Sequence, residues 1–121
     1  ADTVVCIHDR ILGKPADRKE AISMLRELSG NRHLVVTGVS VTTRTEQLSF
    51  SSRTDVFFKH LSNEEIIFYV DTYKPFDKAG AYGIQEWIGY IGIERIEGSF
   101  YNVMGLPIQK LYETLRKLQF Q

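Results

Sequence analysis

The stretch Ala21–Thr43, "AISMLRELSGNRHLVVTGVSVTT", changes its hydrophobic period halfway along, and that change decides the fold class. Up to Ser29, the apolar side chains of Ala21, Met24, Leu25 and Leu28 fall at i, i+3, i+4 and i+7, the spacing of one helix face. Gly30 then stands where a helix stops. From Leu34 to Thr43 valine and threonine dominate, the β-branched composition of a strand. A helix over 17–29 therefore feeds a strand, and the chain is of α/β type.

The same reading extends in both directions. Thr3 to Ile7 is a β-branched run, the polar triplet His8-Asp9-Arg10 interrupts it, and Ile11-Leu12 resumes it, which predicts a hairpin. Downstream, Leu48, Phe50, Val56 and Phe58 occupy even positions and so share one face of a further strand, antiparallel to the first. Ser62 with Glu65 three residues later is a capping-box signature, and Ile66, Tyr69, Val70 and Tyr73 carry it on as a helix. Ile91 to Ile96 reads as a strand, and Ile108, Leu111, Tyr112 and Leu115 as a C-terminal helix entered through Pro107. The expected architecture is a mixed sheet with flanking helices, in a single domain spanning 1–121.

Composition narrows the function. The chain has 121 residues, 43% hydrophobic and 25% charged, enough to bury a core. Fifteen basic residues balance fifteen acidic ones, so no broad footprint for nucleic acid or an anionic membrane is expected. A single cysteine, Cys6, suits a reducing compartment. No apolar run approaches the roughly 20 residues that span a bilayer, and no signal-like segment opens the sequence, so the cytoplasm is the expected location. His8, His33 and His60 show no metal-ligand spacing and read as surface or turn residues, and Cys6 lacks an activating neighbour. Arg44, Arg53 and Lys59 border the ribbon and read as solvated.

Two segments carry chemistry. If His8-Asp9-Arg10 is a three-residue turn, Val4 opposes Lys14, and Asp2 lies diagonal to Lys14 on the same face, about 7–8 Å away. A carboxylate and an ammonium sharing a surface suit phosphate chemistry, although a simple exposed ion pair gives the same pattern. A two-residue turn would send Lys14 to the other face. The second segment, 73–106, "YKPFDKAGAYGIQEWIGYIGIERIEGSFYNVMGL", recurs in glycine without the spacing of a dinucleotide fingerprint or a P-loop. In it Lys78 is a candidate phosphate contact, and Gln85, with amide donors and a carbonyl acceptor, is a candidate reader of a base edge.

"ADTVV…ILGKP", "LRELSG…HLVVTGVSV" and "DKAGAYGIQ…IEGSFYNVMGLP" together resemble the Maf family of nucleoside triphosphate pyrophosphatases, over nearly the whole chain. The resemblance implies an inosine-triphosphatase-like architecture with two lobes around a cleft. It also implies hydrolysis of a triphosphate to monophosphate and pyrophosphate, a divalent cation (Mg or Mn) held by Asp2, and a homodimer. By the same resemblance Asp2 is the catalytic proton acceptor, Lys14 contacts substrate, and Thr3 and Gln85 set base specificity. The Asp-Thr pair resembles the branch acting on dTTP and UTP. The family's opening strand and Ser-x-Ser/Asn-Pro-Arg-Arg loop have no counterpart here, so the chain is expected to be a portion of a longer protein. Two other functions fit the residues: a non-catalytic nucleotide-sensing or cell-division regulatory module, and a single-strand binder stacking bases on Phe57, Phe58, Tyr73, Phe76, Tyr82 and Trp87, against which the neutral charge speaks.

Overall fold

The computed structural model describes residues 1–119. Five strands, β1 (Asp2–Ile7), β2 (Arg10–Leu12), β3 (Arg32–Thr42), β4 (Gln47–Phe58) and β5 (Ile93–Glu97), form one sheet in the order β2-β1-β3-β4-β5. The α/β class is as expected, and within the described residues every pairing of this sheet is antiparallel. β3 and β4 make the long central ribbon, from Arg32 opposite Phe57 to Thr42 opposite Gln47.

One face of the sheet carries the core. Along β3, His33, Val35, Thr37 and Val39 are buried while the intervening residues are exposed or half-buried, the period of two that a one-sided strand requires. Helix α1 (Arg18–Leu28) lays Ala21, Ile22, Met24, Leu25 and Leu28 on this face. Its first turn is closed by Asp17, whose carboxylate accepts from the Glu20 backbone N–H at 2.8 Å. Helix α2 (Asn63–Tyr73) starts with the expected capping box, Ser62 and Glu65 each bonding the other's backbone. It buries Ile66, Tyr69 and Val70 against the same core.

The hairpin differs from expectation in register. His8 and Asp9 both adopt positive φ, 50° and 62°, the backbone of a two-residue turn whose twist matches that of the strands. Ile7 therefore faces Arg10 and Cys6 faces Ile11. In this register Val4 does not oppose Lys14.

Two short helices were not expected from the sequence: α3 (Trp87–Gly92) and α4 (Phe100–Met104). Because α3 occupies 87–92, the last strand begins at Ile93 rather than Ile91. Helix α5 (Ile108–Gln119) follows Pro107 as expected. No helix among the described residues is long and apolar enough to cross a membrane.

Candidate active site

A pocket of about 400 Å³ opens where the N-terminal hairpin meets the loop before α3 and the end of α4. Asp2 and Thr3 reach it from the start of β1, Lys14 from just beyond β2, Lys78 and Gln85 from the loop, and Met104 and Gly105 from α4. All five residues singled out in the sequence are thus brought together, although the expected ladder does not do it. β2 ends at Leu12, so Lys14 has left the strand and the rule of alternating faces no longer binds it.

The loop is anchored from both sides. The Gly80 N–H donates to the Gly13 carbonyl at 3.1 Å, which ties it to the hairpin. Gly80 has φ +70°, and a Cβ there would come within 2.9 Å of Val5, so a close approach and a left-handed backbone both require glycine. Below, the buried Tyr69 hydroxyl accepts from the Gly83 N–H at 3.1 Å and donates to Glu86 at 2.7 Å. Desolvation, together with the Glu86 carboxylate, pushes the Tyr69 hydroxyl's pKa up, so it remains a donor at neutral pH.

Charge is unevenly distributed. Lys78 lies between two carboxylates, 3.3 Å from Asp77 and 4.0 Å from Glu86, and is largely neutralised by them. The Lys78 hydrogen bond, with a smaller pull from Lys14, holds the Asp77 carboxyl below the usual carboxylate range. By contrast, neither the Asp2 carboxylate nor the Lys14 ammonium has a hydrogen-bond or ion-pair partner among the described residues. Asp2 and Lys14 are thus the groups left with charge to offer a ligand.

Neutral groups complete the wall. Thr3 stands directly opposite Thr37 across the β1–β3 ladder, and their hydroxyls are 2.9 Å apart. Thr37 donates to the Asn102 backbone carbonyl at 3.2 Å. The Asn102 amide nitrogen reaches the Val35 and Ser52 carbonyls and the Thr54 hydroxyl, at 3.3, 3.1 and 2.8 Å. Asn102 thereby pins α4 to the sheet, and no local sequence pattern announces it, because its partners lie 48 to 67 residues away.

One expectation about the histidines fails. His33 is 2% exposed rather than a surface residue, with Nε2 2.6 Å from the Tyr82 hydroxyl and the ring stacked on Phe58. The alternation of β3 was the signal that could have found it. The six aromatics weighed as a stacking platform do not share a surface: Phe58 and Tyr82 are buried, and the Arg95 guanidinium covers Phe57 at 4.2 Å.

Fold and pocket define an α/β protein with an antiparallel sheet and a pocket lined by carboxylate and ammonium groups. A family model described as "Maf-like protein" matches residues 1–118, and the chain belongs to that family. It is 61% identical over 118 residues to a Bacteroides thetaiotaomicron protein named dTTP/UTP pyrophosphatase, covering 98% of this chain and 61% of that relative. It is 62% identical over 116 residues to a Porphyromonas gingivalis protein of the same name, covering 96% and 58%. The corresponding Cytophaga hutchinsonii protein is 52% identical over 118 residues, with 98% and 54% covered. The chain therefore spans about 60% of the length of the first two relatives.

Proposed function

We propose that this chain belongs to a nucleoside triphosphate pyrophosphatase that converts dTTP and UTP to the monophosphate and pyrophosphate. One observation carries the reading: a carboxylate, Asp2, and an ammonium, Lys14, neither of which has a hydrogen bond or salt bridge among the described residues, line one pocket of nucleotide size. The names of the relatives support the substrate pair.

In this reading Asp2 accepts the proton of the attacking water, the new bond forms to the α-phosphorus, and the α–β anhydride bond breaks with pyrophosphate leaving. Lys14 offsets charge that builds on the phosphate oxygens. Lys78, held by Asp77 and Glu86, is a weaker second cation at the same wall. Thr3 and Gln85 meet the base.

The donors present fit a magnesium or manganese ion. Such ions take one or two carboxylates and complete their shell with water and substrate phosphate. Asp2 offers one unpaired carboxylate, and no trio of His, Cys, Asp or Glu that could hold a metal by itself occurs among the described residues. A bound ion would polarise the phosphate under attack.

The test is pyrophosphate release from a panel of triphosphates with magnesium or manganese. Asp2→Asn is expected to lower turnover about 100-fold or more while nucleotide binding is kept. Near-normal turnover would remove Asp2 from the mechanism. Triphosphate binding without any release would favour the nucleotide-sensing module instead.

A further inference from the structure

We infer that Thr37, a buried residue that does not line the pocket, fixes the Thr3 hydroxyl as a hydrogen-bond acceptor toward the ligand and so selects bases carrying a ring N–H, the imide of uracil and thymine. The inference rests on the proposed function and adds to it a residue and a polarity.

A threonine hydroxyl has one proton and two lone pairs. Thr37 is fully buried, so water cannot take its proton. Two oxygens are in reach: the Asn102 carbonyl at 3.2 Å, which can only accept, and the Thr3 hydroxyl at 2.9 Å. Only one assignment makes both contacts hydrogen bonds. Thr37 donates to the Asn102 carbonyl, and Thr3 donates to Thr37. The Thr3 proton is then spent inside the protein, and only lone pairs remain for the pocket.

The Asn102 carbonyl is a fixed target. Its own side-chain amide nitrogen is held by the Val35 and Ser52 carbonyls, and the residue is 0% exposed. The order of donation is therefore set by packed backbone rather than by solvent. The Thr3–Thr37 pair is also in register across two strands, which holds the Thr3 rotamer. Gly105, at the end of α4, closes over the same hydroxyl: a Cβ there would lie 3.8 Å from Thr3 Oγ1.

Pyrimidines divide on this point. The edge of uracil or thymine reads acceptor, donor, acceptor, with N3–H in the middle, whereas cytosine has a bare nitrogen at N3. Where an acceptor-only Thr3 faces N3, cytosine sets lone pair against lone pair, and its N4 amine stands where uracil and thymine offer a carbonyl. Gln85, whose amide offers both donor and acceptor, satisfies a flanking carbonyl. A site built to bond a group rejects the analogue lacking it much more strongly than an apolar pocket rejects a missing methylene.

The experiment measures equilibrium binding of dTTP, dCTP and N3-methyl-dTTP, each with a methylene in place of the α–β bridging oxygen to prevent hydrolysis. The wild-type chain is expected to bind the thymine compound about tenfold or more tightly than the other two, the worth of one unmade buried hydrogen bond. Thr37→Val frees the Thr3 proton to turn outward, so the dTTP-to-dCTP ratio is expected to collapse to about threefold or less. Thr37→Ser, which keeps the hydroxyl, is expected to restore it. If Thr37→Val weakens both compounds equally, or if N3 methylation leaves wild-type binding unchanged, the inference is overturned while the pyrophosphatase reading stands. If the wild-type chain binds none of the three, the reading of the pocket as a nucleotide site falls, and the inference with it.

Discussion

Two buried polar clusters lie beside the pocket, and they are held in opposite ways. Around Asn102, backbone and side-chain groups from β3, β4 and α4 are joined by hydrogen bonds: Thr37 to the Asn102 carbonyl, the Asn102 amide to Val35, Ser52 and Thr54, and Thr54 to Ser99. Around His33 there is, among the described residues, one side-chain hydrogen bond, to Tyr82, and otherwise ring packing among His33, Phe58 and Tyr82 at centroid distances of 5.1 to 5.4 Å. Each cluster leaves one buried atom without a partner among the described residues, Asn102 Oδ1 and His33 Nδ1. The difference teaches what each is for. A hydrogen-bonded cluster fixes position and direction, which suits a helix that must place Met104 and Gly105 over the pocket. A packed aromatic cluster fills volume and keeps a titratable ring neutral.

The comparison breaks most directly at Asn102. Asn102→Ala removes three side-chain hydrogen bonds, to the Val35 and Ser52 carbonyls and the Thr54 hydroxyl, each worth about 1 kcal/mol, and empties part of a fully buried site, so a loss of about 3–4 kcal/mol is expected in urea unfolding. A loss below about 1 kcal/mol would mean that water or a shift of α4 replaces the amide.

The second test is pH. Burial lowers the His33 pKa from 6.5 to about 4. The unfolded chain therefore binds a proton near pH 6.5 that the folded chain refuses until about pH 4. Stability should be fully present above pH 6.5 and fall by about 3 kcal/mol on acidification to pH 4, since every pH step of one between those two values is worth about 1.36 kcal/mol. Because carboxylates also titrate in this range, the contribution is read as the difference from His33→Leu, whose curve is expected to be flatter by that amount. Parallel curves for the two proteins would show that His33 takes up its proton in the folded state as easily as in solution.

The smallest effect sharpens the contrast. Tyr82→Phe removes the cluster's one hydrogen bond but keeps the ring contacts, and is expected to cost about 1–2 kcal/mol by thermal denaturation. A cost matching that of Asn102→Ala would erase the distinction between the clusters.

These clusters also mark where sequence reading reaches and where it stops. The α2 capping box was legible because Ser62 and Glu65 act across three residues, and the α1 face because its period is local. The hairpin was legible as a hairpin, but its register was not: His8-Asp9 carries no glycine or asparagine to announce positive φ, so a three-residue turn read equally well. The short helix α3 hid among glycines whose role is steric. A Cβ at Gly89 would collide with the Ile84 carbonyl oxygen, a contact set by folding of the loop back on itself. At the site, Asp2, Thr3, Lys14, Lys78 and Gln85 came from resemblance and chemistry together. Tyr69, Thr37 and Asn102 were missed because their partners lie 14 to 67 residues distant in sequence.

The pocket draws its walls from residues 1–14, from Val35, from 77–85 and from 103–105, so an occupant would staple together segments that the chain itself joins only through long detours. Its affinity is then a mechanical clamp on the hairpin side of the sheet. At a hundred times its dissociation constant, a nucleotide bound only by the native state would add about 2.7 kcal/mol to the free energy of unfolding. A rise in melting temperature on titration with dTTP would thus report the hairpin, the loop and α4 being held as one body.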